Sequence, residues 1–218
     1  MNILLNDVEI RVLGSLVEKE ITTPDYYPLS LNALLHACNQ KSNRDPWMNL
    51  DEDAVREALR TLNEKGLAGV TSTAESRVAK FEHRLGEAFN FSRPETAVLC
   101  VLFLRGPQTP GELRGRGERL YRFDDLGQVQ SALQRLMTRE PPLVKVLRRQ
   151  PGTKEARYAH LLAGDVETWE PEPAREPAVT RSSIDSERIT RLEEEVTGLQ
   201  KEVADLKQQF ADFRKQFE

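Results

Sequence analysis

The hydrophobic positions of this chain recur. Residues 6–24 lie over residues 92–110 at an offset of 86, with Asn6 on Ser92, Glu9 on Glu95, Leu16 on Leu102 and Thr23-Pro24 on Thr109-Pro110. Val8, Val12 and Leu16, and in the second copy Ala97 and Leu104, keep helical spacing. Asn6 and Ser92 are read as helix caps, with Glu9 and Glu95 completing capping boxes. In the later copy a second helix begins at Thr109-Pro110, since threonine caps, proline needs no backbone partner there, and Glu112 closes the box. In the earlier copy Thr23-Pro24 runs into DYYP, so the helix is expected to restart at Ser30, with Leu31, Leu34, Leu35 and Cys38 on one face.

A third helix follows in each copy. Val55–Leu62 lies over Val129–Leu136 at an offset of 74, so the first copy holds 12 extra residues between its second and third helices. Asn49 is the predicted cap of the earlier helix and Gly66 its end, while Pro141-Pro142 stops the later one. Each copy then closes on two β-like runs: Leu67–Thr71 with Val78–His83, and Leu143–Leu147 with Ala156–His160 around a Pro-Gly turn. Three helices and a hairpin make a winged helix. The expected fold is mainly α with small β-hairpins, as two tandem winged helix-turn-helix domains over residues 1–88 and 89–165.

Residues 166–183 contain WEPEPAREP, a Pro/Glu-rich linker. Residues 184–218 carry heptads: Ile189, Val196, Val203 and Phe210 at one position, Leu192, Leu199, Leu206 and Phe213 at the other. Such a repeat predicts a C-terminal coiled-coil helix, and Ile or Val alternating with Leu favours a parallel homodimer. Packing of this helix back on its own domains is the alternative.

Charge divides the chain further. Residues 1–90 carry 10 basic and 14 acidic side chains, residues 91–169 carry 13 and 9, and residues 170–218 carry 8 and 12. Only the middle stretch attracts a polyanion through its own net charge. The start, MNILLNDVEI, lacks a basic region and is broken by polar residues, so no signal peptide is expected. No run is long enough to span a bilayer, and no membrane partner is expected. Cys38 and Cys100 sit inside apolar helical patterns and read as buried hydrophobes, which sets a cytoplasmic location as the default.

The segment PLSLNALLHACNQKSNRDPWMNL at 28–50, TPGELR at 109–114, and REPPLVKVLRRQPGTKEARYAHL resemble the YceH-like family of bacterial proteins over residues 5–165. The resemblance implies a tandem winged-helix protein with a helical tail and specifies no activity.

Candidate chemistry is sparse. His36, His83 and His160 do not form metal-ligand spacing with each other or with the cysteines, and no cofactor is expected. GRG at 115–117 lacks the setting of a phosphate loop, and no nucleophile has an evident base, so an enzyme is not expected. The 12-residue insertion is polar, with Asn39, Gln40, Lys41, Asn43 and Arg44. Such a loop either contacts a partner or a nucleic acid, or uses its amides to tie down its own backbone.

Two functions follow. In the first, the protein binds duplex DNA through its second domain, as a transcriptional regulator. The third helix there carries Gln130, Ser131, Gln134 and Arg135, with Arg114, Arg116, Arg119 and Arg122 nearby and Lys145, Arg148, Arg149 and Lys154 on or near the wing. Residues 51–64 of the first domain carry Asp51, Glu52, Asp53, Glu57 and Glu64 against two arginines and would repel phosphate. In the second, winged helices and coil hold another protein in a larger complex without touching DNA.

Overall fold

In the computed structural model, which describes residues 3–71, 78–149 and 155–165, the repeated sequence becomes a repeated order of elements. The first copy runs α1 (Asp7–Thr22), a 3-10 turn (Pro24–Tyr26), β1 (Leu29–Ser30), α2 (Leu31–Cys38), α3 (Glu52–Glu64), β2 (Ala68–Thr71) and β3 (Lys80–His83). A short helix, α4 (Leu85–Phe89), leads to the second: α5 (Arg93–Arg105), α6 (Pro110–Gly117), α7 (Leu126–Met137), β4 (Val144–Val146) and β5 (Tyr158–His160). The boundary expected between residues 88 and 89 falls inside α4. The linker and the heptad segment lie outside the described residues.

The caps act where the sequence places them, with one exception. Asn6 accepts from the Glu9 amide at 2.9 Å, and Glu9 accepts from the Asn6 amide at 2.8 Å. Glu95 likewise accepts from the Ser92 amide at 2.8 Å, and Thr109 and Glu112 close the box on α6. Ser30 starts α2 by accepting from the Ala33 amide at 3.3 Å. The exception is α3, which is capped by Asp51 through the Ala54 amide at 2.8 Å and not by Asn49. Asn39 holds the Leu50 amide at 2.8 Å, which keeps the chain extended until Asp51. Asp125 caps α7 in the same way and is the repeat equivalent of Asp51. At the end of α3, Gly66 takes φ +70° and its amide bonds the Asn63 carbonyl, while Leu67 bonds Leu62; the left-handed turn suits glycine.

Third helices bury one stripe each: Val55, Ala58, Leu59 and Leu62 on α3, and Val129, Ala132, Leu133 and Leu136 on α7. First helices differ. Every residue from Glu9 to Val17 of α1 is buried, and so are Glu95 and Ala97 to Leu104 of α5. Their spacing reads as one apolar face, yet each has a second face buried against the other helix. Gly14 makes that approach feasible. A Cβ there would lie 2.9 Å from Leu104 Cδ2 and 3.0 Å from Phe103 Cβ. The Gly14 carbonyl also accepts the Cys100 thiol at 3.6 Å, and Cys100 is the repeat equivalent of Gly14. A position that meets its own equivalent lies on an approximate two-fold axis. The apolar cores of both copies thus merge into one cluster.

A second pair of equivalents locks each third helix to the first helix of its copy. Lys65 bonds Glu9 at 2.6 Å and Arg139 pairs with Glu95 at 3.5 Å. Burial alone would raise both glutamates, but these cations and the cap bonds hold them below the ordinary carboxylate value.

The sheets are small and antiparallel. The first has strand order β1-β3-β2, with Ala68 opposite His83 and Leu29 opposite Phe81. The second pairs β4 with β5, Val144 opposite His160. The two histidines are equivalent in register but not in surroundings. His83 Nε2 lies 2.8 Å from Glu20, whereas His160 Nδ1 is shut from solvent without a partner among the described residues, its ring edge-on to Phe103.

Two outcomes are expected. Gly14→Val will destabilise the protein by about 2 kcal/mol or more, through overpacking between α1 and α5. Gly86→Ala, which faces open space, will be neutral or gain up to about 1 kcal/mol. Urea unfolding of both variants checks this. The second concerns pH. Burial pushes His160 from 6.5 down to about 4. Between those limits the unfolded chain binds a proton that the folded chain refuses, so stability is full above the unfolded value and falls as pH drops, by up to about 3 kcal/mol. The glutamates above, held below 4.5, add their loss only at still lower pH. His160→Phe is expected to remove the slope near pH 5 in chemical unfolding.

Candidate nucleic-acid interface

With its apolar stripe spent on the core, α7 turns Gln130, Ser131, Gln134 and Arg135 to solvent. No acidic residue lies between 126 and 139. Arg135 Nε reaches only the Ser131 carbonyl of its own helix, at 3.3 Å. The side chains of Gln130 and Gln134 have no partner among the described residues. The matching face of α3 is charged on both sides and self-neutralised. Arg56 pairs with Glu52 at 2.5 Å, and Arg60 is held between Glu57 at 2.5 Å and Glu64. Equivalent helices therefore present unlike surfaces, one polar with spare donors, the other a web of ion pairs with excess acid.

Beside α7, the β4–β5 pair carries Arg148 and Arg149, both exposed just after β4. Lys145 is paired with Asp165, and Lys154 lies outside the described residues. The hairpin is anchored at its other edge. Gln108 and Tyr158 exchange backbone bonds of 3.0 and 2.8 Å, and Arg157 bonds Glu112 at 2.7 Å and the Pro107 carbonyl at 2.8 Å.

The arginines expected to cluster around α7 separate. Arg114 donates to the carbonyls of Phe123 and Asp124, at 3.4 and 2.7 Å, and so braces the turn entering α7. Arg116 is two residues on, about 200° round the helix. It bonds Gln108, lies 3.6 Å from Glu112, and with Arg119 lines a crevice shared with Glu18, Asn43 and Arg105. Arg122 is exposed in the turn before α7.

The 12-residue insertion is fastened inward. Asn39 exchanges two 2.8 Å bonds with the backbone of Leu50, and its carbonyl accepts from Trp47 Nε1 at 3.2 Å. Arg44 is buried, with its side chain fully covered, and forks onto Glu18 at 2.6 and 3.2 Å while also donating to the Ala37 carbonyl. Arg11, buried in the middle of α1, donates to the carbonyls of Cys38 at 3.2 Å and Pro46 at 2.6 Å. Two guanidinium groups thus meet the negative end of α2. Asn43 takes φ 59° and accepts from Arg105. Gln40 is half-buried and Lys41 exposed, and neither side chain has a partner among the described residues. Among the described residues, no group of three or more His, Cys, Asp or Glu could hold a metal ion, and no helix is long and apolar enough to cross a membrane.

Residues 5–153 match the model of a family described as "Protein of unknown function, DUF480". The chain belongs to the DUF480 family. A UPF0502 protein of Koribacter versatilis is 59% identical over 196 residues, covering 89% of this chain and 90% of that protein. Others from Geotalea daltonii and Solibacter usitatus are 56% and 58% identical, covering 89% and 88% of this chain and 89% and 90% of theirs. The DUF480 span takes in the paired first helices, the insertion and the arginines after β4, and ends before the heptads.

Arg11 and Glu18, which hold the insertion, escape a reading of polar residues within the loop itself. Their signal lies in the repeat: Arg11 falls on Ala97 and Glu18 on Leu104, so opposite charges replace apolar core residues only in the copy that carries the insertion.

Removing one partner of the Glu18–Arg44 pair strands a buried charge. Glu18→Ala is expected to cost about 3 kcal/mol. The double variant Glu18→Leu/Arg44→Met will cost much less than the two single changes together, a non-additivity that a double-mutant cycle in guanidinium measures.

Proposed function

We propose that both copies are winged helix-turn-helix units and that the protein is a non-enzymatic, cytoplasmic DNA-binding regulator that engages duplex DNA mainly through its second copy. In this reading α7 enters the major groove, with Gln130, Gln134 and Arg135 toward base edges, and Arg148 and Arg149 on the β4–β5 wing contact phosphate. The contrast between the two third helices supports it. The outer face of α7 has donors without carboxylate competitors, while both arginines of α3 are consumed by neighbouring glutamates. Phosphate attraction dominates affinity for DNA, so a face that keeps its cations unpaired is favoured over one that neutralises them. The heptads at 189–213 supply a homodimer in this proposal, bringing two such faces to one duplex.

A second reading has its own observation. The acidic face of α3, together with exposed Tyr26 and Trp47, suits a basic protein partner.

The two are separated by titrating fluorescent duplex DNA across a salt series. DNA binding predicts an affinity that falls steeply with salt, and a shallower dependence for Arg148→Ala/Arg149→Ala, by about one to two units of log–log slope. Lack of binding at low salt rejects the DNA reading and leaves the protein partner.

A further inference from the structure

The insertion, α1, α5 and α6 meet in a small crevice of about 50 Å³, whose charges do not balance. Arg105 comes from the end of α5, Arg116 from α6, and Arg119 from the turn that follows α6. Glu18, from α1, is the carboxylate in its wall, and the buried Arg44 already holds it in a fork. Two further carboxylates act nearby. Glu112 is bonded by Arg157 at 2.7 and 3.2 Å, leaving Arg116 3.6 Å away, and Asp45 attracts Arg105 from the insertion. Five arginines therefore face three carboxylates, two of which are already in tight pairs.

Their hydrogen bonds tell the same story. Arg105 bonds the side-chain oxygen of Asn43, and Arg116 that of Gln108, both neutral acceptors. Arg119 has no partner among the described residues. Burial disfavours the charge of Arg105, and repulsion from Arg116 and Arg44 adds to that. Charged donors held together on amide oxygens gain most from an oxyanion, which accepts several guanidinium bonds at once and cancels the repulsion.

The geometry points to a phosphate-binding site in this crevice, in which Arg105, Arg116 and Arg119 hold one phosphoryl group between the insertion and α6. The crevice admits a single oxyanion head and leaves any larger body of the ligand in solvent. All three arginines belong to the second copy, and Asn43 of the first copy's insertion lines the same crevice and accepts from Arg105, so the site lies where the insertion meets the second copy. The site is independent of the proposed α7 surface, since it lines a different hollow.

Inorganic phosphate added to the full chain, against chloride at equal ionic strength, tests this by thermal unfolding. Saturating phosphate is expected to raise Tm by several degrees. Arg119→Ala, an exposed change, will weaken the apparent affinity by about tenfold or more. Arg148→Ala/Arg149→Ala will leave the shift intact, so failure of the DNA reading does not imitate failure here. Labelled duplex DNA then identifies the source. If phosphate competes with DNA and Arg119→Ala weakens DNA binding, the group is a backbone phosphate; if DNA binding ignores both, the group belongs to a free phosphorylated ligand. A phosphate effect no larger than that of chloride, or an equal shift in Arg119→Ala, overturns the proposal.

Discussion

Gly14 sets how closely the two first helices approach, and most of the architecture follows from that distance. A side chain there would collide with Phe103 and Leu104, so its absence lets α1 and α5 lie side by side along their lengths. Once they do, neither helix has a solvent face over its central turns. Leu13, Val17, Val101 and Phe103 are all core residues in consequence. Two small helical units, each with little core of its own, thereby share one. Burial of apolar area is the main favourable term in folding, and the shared seam adds to it without lengthening the chain.

The same seam explains why the copies cannot be identical. An insertion of 12 residues follows α2 in the first copy only, and its polar backbone needs partners. Arg11 and Arg44 provide them, and Glu18 balances Arg44. A buried ion pair contributes little net stability, since desolvation offsets the attraction, but it resists any arrangement that separates the partners. The network therefore specifies where the loop lies more than it stabilises the fold.

Much of this was legible in the sequence, and the misses share a cause. Local signals were readable: capping boxes at Asn6 and Thr109, the end of α3 at Gly66, the apolar stripes of α3 and α7, and the paired β-like runs that end at His83 and His160. Each depends on residues a few positions apart. The two-sided burial of α1 and α5 was not legible, because periodicity within a helix reports one face and says nothing of a second partner. The cap of α3 was misplaced onto Asn49 because the competitor for the Leu50 amide, Asn39, lies 11 residues away. The expected arginine cluster placed both Arg114 and Arg116 near α7, while two residues along a helix turn them to opposite sides. The resemblance to a bacterial family was borne out over most of the chain, and it carries no chemistry with it.

Divergence between the copies is itself informative about where charge is left unpaired on this surface. Related helices with equal structural duties keep the same buried stripe, so what differs outside it is not required by the core. On α3 the outer positions form ion pairs at helical spacing, each worth a few tenths of a kcal/mol. On α7 the corresponding positions hold glutamines, a serine and an arginine with no acidic neighbour on the helix. Such a face forgoes that local gain and keeps its donors available. The inter-repeat crevice shows a similar imbalance, where Arg119 stands beside Arg105 and Arg116 while Glu18 is held by Arg44 and Glu112 is shared between Arg157 and Arg116. Among the described residues, the exposed cations of α7, of the segment after β4 and of the crevice lie in the second copy or at its junction with the first, whereas those of α3 are held by their own glutamates.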